Sequence, residues 1–332
     1  GEGYSFDQAL ALTPEAFLPS DSASRFQGPP GPRSSSCEEN MMVRKSMLAV
    51  AFCLLLAGSP LTAGEGRIPV HEPVVIGMPG SYVLTRDVTA PSGMVAVEIR
   101  ADGVTLDLNG HTIASMGTTA PAIQLGGAAG QDKGFIITGG KVFGGLHGIH
   151  AQNTIPRILS LSDLIITGAA EAAIMVDNLE WLSAKGIIIT GTKVGLHVMG
   201  IEPLPFLPSA MITDSSIQAG IGIKCLGASC GIADNLISAN TSGIVLENAP
   251  GSRIKGNKLN WFKFNPQPDP PESMIAVTDS PGTSISENTL TGNPVSNGNT
   301  HGIQLAGSSN HGIVIVNNLT GFGDDGVQAL SS

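Results

Sequence analysis

One short pattern recurs along the chain: a small residue, an aliphatic residue, a position open to any side chain, then a second aliphatic. It reads AVEI at 96, AIQL at 122, GIHA at 148, AIMV at 173, GLHV at 195 and GIKC at 222. It continues as GIVL at 243, MIAV at 274, GIQL at 302 and GVQA at 326. The first aliphatic of each copy (Val97, Ile123, Ile149, Ile174, Leu196, Ile223, Ile244, Ile275, Ile303 and Val327) returns every 21 to 31 residues. Within a copy the alternation has period two, which predicts strands. Between copies a further signature appears, IITG at 136, 165 and 188 and LTG at 290 and 319. Asn235, Asn257, Asn288 and Asn317 each stand two residues ahead of an aliphatic.

Self-similarity at this period marks stacked repeats. No copy holds an amphipathic helix pair, which excludes helical solenoids. Short strands joined by Gly and Asn turns, about 25 residues per coil, predict an all-β, single-stranded parallel β-helix. Coils pair through backbone hydrogen bonds ~4.8 Å apart, so about ten of them make a rod roughly 45 Å long. Stacked Ile and Val stabilise each coil by the same apolar burial. The small column fits where the chain turns into the strand, and glycine there also permits dihedrals other residues avoid. The β-helix is expected over 95–332, with 64–94 as an N-terminal cap. The chain stops just after a strand, which predicts either truncation at the C-terminus or self-association through an exposed strand edge.

The sequence MMVRKSMLAVAFCLLLAGSPLTAG at 41–64 has a basic start, an apolar run of about a dozen residues and a small-residue end, the layout of a secretory signal cleaved after Ala63. The run is too short to span a bilayer, and no other segment of the mature chain could. Residues 1–40, rich in Ser, Pro and Gly, read as disordered or as an upstream extension from a start assigned too early. The expected location is therefore periplasmic or extracellular. The chain carries 27 Asp and Glu against 17 Lys and Arg, net −10, and stays acidic past residue 64. That balance argues against nucleic acid as a partner. Glycine, 43 of 332 residues, is about twice its usual share of roughly 7%, yet it falls at turns rather than in low-complexity runs.

Residues 79–113, PGSYVLTRDVTAPSGMVAVEIRADGVTLDLNGHTI, with the coils that follow, resemble bacterial secreted right-handed parallel β-helix repeat proteins of the pectate-lyase-like superfamily. The resemblance runs from about residue 75 to the end. It implies the fold and right-handed winding but no single activity, because the superfamily holds lyases, hydrolases, epimerases and members without known chemistry.

Alternation fixes which residues face outward from the repeated strand. One file runs Glu98, Gln124, His150, Met175, His197, Lys224 and Val245; the other runs Arg100, Gly126, Gln152, Asp177, Met199, Leu226 and Glu247. By this register His150 faces solvent and His147 lies at the preceding turn, so HGIH at 147 is not a chelate. His150, Asp177, His197, Lys224 and Glu247 form a polar patch on the type of face where related lyases bind polysaccharide. A lyase needs a base and a cation that steadies the developing charge, and His197 or Lys224 would be the base. The acidic calcium cluster and catalytic arginine of pectate lyases have no match, and neither Arg100 nor Arg253 is well placed.

A second reading of the same face is metal binding. His150, Met175, His197 and Met199 lie on consecutive coils, and imidazole with thioether suits copper. Here the resemblance extends to β-helix accessory proteins of periplasmic copper-site assembly. No specific motif supports either calcium or copper. Hydrolysis has one candidate, GFGDDGVQ with Asp325 above His301, but the polygalacturonase-like fragments RIK, HG and GDD run in reverse order and the NTD piece is missing. In the longest coil, Trp261, Phe262 and Phe264 flank a proline-rich loop and either stack on a ligand or seal the coil beneath. Cys225 and Cys230 both face inward, and a bridge or an unbonded buried pair is open. The expectation is an exported β-helix protein that binds a polysaccharide, with lyase or epimerase action ahead of hydrolysis if it is an enzyme. A copper-handling accessory protein and an inert surface rod stand as the alternatives.

Overall fold

The computed structural model describes residues 66–126, 133–152, 156–178, 180–200, 210–261, 273–292, 301–311, 313–322 and 326–330. All belong to one compact unit, Ala63–Ser332. The chain winds as a right-handed parallel β-helix, and every described pairing is parallel. A representative turn runs through Val97–Ile99, Val104–Asp107 and Thr112–Ser115 before Ile123–Leu125 begins the next. Each of the three legs pairs with its counterpart one coil on, which builds three sheets around one core.

The first sheet contains the repeated strand, and its register matches the sequence columns residue for residue. Val97 pairs with Ile123, Ile123 with Ile149, Ile149 with Ile174, Ile174 with Leu196 and Leu196 with Ile223. The file continues through Ile244, Ile275, Ile303 and Val327. From Val97 to Ile303 the column has no solvent exposure. Burying each such side chain contributes about 1.5–3 kcal/mol, and repetition makes the stack cooperative along its length. In the middle of the chain the third leg of one coil and the first leg of the next fuse into long strands such as Ile188–Met199, Ser216–Leu226 and Leu236–Glu247.

Residues 64–94, expected as a cap, carry strands that pair in register with the coils: Val74 with Val97 and Tyr82 with Leu106. Their aliphatics, Ile76, Leu84 and Val88, are buried like those of any other coil. The glycine column also owes its identity to space rather than dihedral freedom, because Gly148, Gly195, Gly222, Gly243 and Gly302 are not among the residues with positive φ. A Cβ on Gly148 would lie 2.6 Å from the Ala173 carbonyl oxygen, and one on Gly222 would lie 2.5 Å from that of Gly243.

At the corner between the second and third sheets the asparagine column becomes a buried ladder. The Nδ2 atoms of Asn235, Asn257 and Asn288 donate to the Oδ1 of the next asparagine at 3.0, 3.0 and 2.9 Å, ending at Asn317. The backbone N–H groups of Asn235, Asn257 and Asn288 donate to the same oxygens. The residue before each rung takes a left-handed conformation, as at Asp234 (φ 57°), Gly256 (φ 67°) and Glu287 (φ 58°). Such corners would leave backbone groups unpaired, and buried polar groups must be satisfied. The amide side chain meets both demands.

Candidate functional site

The outward file of the first sheet is assembled as the sequence columns require. Gln124, His150, Met175, His197, Lys224 and Val245 are direct partners on successive strands. Beside them Asp177 pairs with Met199, Met199 with Leu226 and Leu226 with Glu247. Residues 21 to 27 positions apart in sequence therefore stand one strand spacing apart, ~4.8 Å.

Side-chain contacts then select among them. His150 Nε2 lies 3.2 Å from Asp177 Oδ2, with side-chain exposures of only 12% and 17%. Lys224 Nζ lies 3.8 Å from Glu247 Oε1. Both are diagonal pairs, because each carboxylate stands two residues beyond the direct partner of the basic residue. That is the second-nearest contact a sheet face offers to a long side chain. Met175 and Met199 occupy the half-buried positions between the two pairs.

His147 sits elsewhere than the sequence reading put it. It opens the strand His147–Ala151, and its ring centroid is 4.7 Å from that of His150 in an edge-to-face arrangement with a 62° interplanar angle. The Ala172 N–H donates to His147 Nδ1 at 3.3 Å. The strand thus begins one residue ahead of the repeated pattern, and the two rings of HGIH pack against each other. Burial pushes the His147 pKa down to about 4, helped by His150 and opposed by Asp177 and Glu171. The His197 pKa is likewise lowered, first by burial and then by the Lys224 cation. Both imidazoles are thus held unprotonated at neutral pH, the form that gives a lone pair to a metal or accepts a proton. Two polar atoms here, Asp177 Oδ1 and His197 Nε2, are buried with no hydrogen-bond partner.

The remaining sequence candidates separate from this cluster. Arg100 is held by Glu98 through two contacts, of 2.7 and 2.9 Å. Arg253 belongs to the second sheet, paired with Gly231 and Ser284, and so is not on this face. Trp261 is half-buried against the core at the end of Lys258–Trp261. Phe262, Phe264 and Asp325 lie outside the described residues, as does the signal segment 41–63. Cys225 and Cys230, both fully buried, are joined by a disulfide. Among the described residues no three His, Cys, Asp or Glu side chains are grouped to hold a metal ion. A hard calcium site of carboxylates is therefore not formed there. His150 and His197 stand two strand spacings apart, ~9.6 Å, with Met175 on the strand between; imidazole and thioether are donor types a soft ion takes, and the unpartnered His197 Nε2 is the atom such an ion would satisfy. Among the described residues no helix is long and apolar enough to cross a membrane.

Fold and face together define a right-handed parallel β-helix protein with an imidazole, thioether and carboxylate patch on its first sheet. Residues 133–329, more than half of the chain, match the family described as periplasmic copper-binding protein (NosD), and the chain belongs to that family. Among curated proteins none matches. A similar solved structure is the crystal structure of the Dettilon tailspike protein (gp208), at 14% identity and a TM-score of 0.45, covering 79% of this chain and 60% of that one. The chain thus spans about three fifths of the length of that protein.

Proposed function

We propose that this chain is an exported, periplasmic copper-handling protein that holds copper on the outer face of its first sheet through His150, His197, Met175 and Met199. The observation that carries the reading is the register, which lines His150, Met175 and His197 on consecutive strands with Met199 alongside. The buried, unpartnered His197 Nε2 supports it, as does the name of the family. Thioether and imidazole favour cuprous copper over harder ions. The chain's part is to present neutral donors on a rigid sheet and keep water from them by half-burial. Copper is cargo here, and no reaction is routed through it.

Competition with a chromophoric cuprous chelator tests this directly. The wild-type protein is expected to withdraw one equivalent of copper, and the His150→Ala, His197→Ala double variant none. Equal copper retention by the two proteins, or none by either, removes the proposal.

One feature favours a second reading. His197 is held unprotonated one strand from the Lys224 cation, and a base beside a cation is what lyase or epimerase action on an acidic polysaccharide requires. In that reading Asp177, His150 and Glu247 line the binding face. Incubation with uronate polymers would then yield an unsaturated product absorbing in the ultraviolet. If no absorbance develops on a panel of such polymers, the lyase reading fails. A protein that neither binds copper nor acts on polymers would be an inert rod.

A further inference from the structure

We propose that Asp177 is a positioning residue: its carboxylate takes the Nε2 proton of His150 in a hydrogen bond and so turns the Nδ1 lone pair outward as the metal-binding atom. This rests on the copper reading above and assigns its ligand atoms. A neutral imidazole has one N–H and one lone pair. Asp177 Oδ2 stands 3.2 Å from His150 Nε2, and an ionised carboxylate only accepts, so the proton of that bond belongs to Nε2. The lone pair of His150 is then on Nδ1. A histidine that gives one nitrogen to a metal usually donates its other N–H to a carboxylate or carbonyl, which fixes the ring and raises its basicity.

The neighbouring histidine is built the other way. His147 Nδ1 accepts the Ala172 N–H at 3.3 Å, so its single lone pair is already engaged and its Nε2 carries the proton. His147 is therefore no ligand, although its ring centre is 4.7 Å from that of His150. Its edge-to-face packing instead restricts how the His150 ring can turn. His197 offers the complementary atom, an Nε2 buried without a partner. Two histidines three residues apart thus share a tautomer and differ in whether the lone pair is spoken for.

The test separates this arrangement from copper binding itself. In metal-free, 15N-labelled protein at pH 8.5, above the ordinary imidazole range, multiple-bond correlation spectra read which ring nitrogen bears the proton. His150 is expected to show a protonated Nε2 and a bare Nδ1. Asp177→Leu should lose that preference, and Asp177→Asn, whose amide oxygen still accepts, should keep it. Cuprous affinity, read by chelator competition, should fall about 10–100-fold in Asp177→Leu and recover only in part in Asp177→Asn, which keeps the acceptor oxygen without the charge. His147→Phe, which keeps the packing and lacks the nitrogens, should bind within about threefold of wild type, set against the effect of removing an outer partner. A wild-type spectrum with the proton on His150 Nδ1 overturns the proposal whatever copper does, as does wild-type affinity in a folded Asp177→Leu. The expected spectrum in a protein that takes up no copper supports the Asp177–His150 orientation and sinks the copper reading alone.

Discussion

Replacing Asn257 by alanine removes the centre of the buried ladder while leaving the aliphatic columns intact. The side chain has no solvent exposure. Its Nδ2 donates to the Ile232 carbonyl at 2.9 Å and to Asn288 Oδ1 at 3.0 Å. Its Oδ1 accepts the backbone N–H and the side-chain amide of Asn235, both at 3.0 Å. In Asn257→Ala, Asn288 Oδ1 still receives the backbone N–H of residue 257. The Asn235 backbone N–H is stranded in the core, its Nδ2 keeps only the Ile212 carbonyl at 2.9 Å, and the Ile232 carbonyl loses a donor. Each buried group left unsatisfied costs about 1–3 kcal/mol, and a water entering the vacated space recovers part of it. A net loss of about 3 kcal/mol is expected. Urea unfolding at 25 °C, followed by far-ultraviolet circular dichroism, measures it against Asn318→Ala, an exposed residue beside Asn317 and off the ladder file, which should shift stability by less than about 0.5 kcal/mol. Stability within about 1 kcal/mol of wild type in Asn257→Ala would mean that the ladder does not hold the corner and would refute the reasoning.

The packing and titration arguments give two more. In Gly222→Ala the new methyl would meet the Gly243 carbonyl oxygen at 2.5 Å, an overpacking loss of about 1–3 kcal/mol. Gly126→Ala, where a Cβ meets nothing within 4 Å, should be nearly neutral, and thermal melts of the pair decide it. The pH profile follows from His147, whose folded pKa of about 4 lies below the ordinary imidazole value of 6.5. Between those values the unfolded chain binds the proton that the folded chain refuses, so this stability is complete above pH 6.5 and is lost as pH falls toward 4. The full shift would correspond to about 3.4 kcal/mol, and partial exposure reduces it to about 1–2 kcal/mol. His147→Phe should flatten the fall in urea midpoint between pH 7 and 4.5, and an unchanged slope would show that another group governs it.

The fold was legible because a β-helix states its register in its sequence. Once Ile149, Ile174 and Leu196 are recognised as one file, the side chains between them must stack too, and His150, Met175 and His197 follow without coordinates. Three features were not legible. The diagonal contacts His150–Asp177 and Lys224–Glu247 depend on which rotamers reach two residues along a neighbouring strand, and column order carries no rotamers. His147 reads as a turn residue because the repeated pattern begins at Gly148 and leaves it one position ahead, whereas the strand itself starts at His147. The asparagine column was visible as a repeat, yet its burial was hidden, since asparagine in a turn is ordinarily exposed.

The same slot on the sheet is used twice with opposite consequences. At Lys224 the diagonal carboxylate faces a permanent cation, so the pair cancels its own charge and neither group has need of a ligand. At His150 the same diagonal faces a ring that can give its proton to the hydrogen bond and still hold a lone pair in reserve. Between the two pairs stand His197, unprotonated because it is buried beside Lys224, and the thioethers of Met175 and Met199, which carry no charge at all. Once His150 serves as a neutral donor, the net charge around Met175 comes from Asp177 alone, whose Oδ1 is buried and unpartnered. A buried charge is tolerated only when something offsets it. One carboxylate balances one positive charge, which fits a monovalent soft cation and leaves a divalent one with an excess positive charge in a half-buried, thioether-lined position.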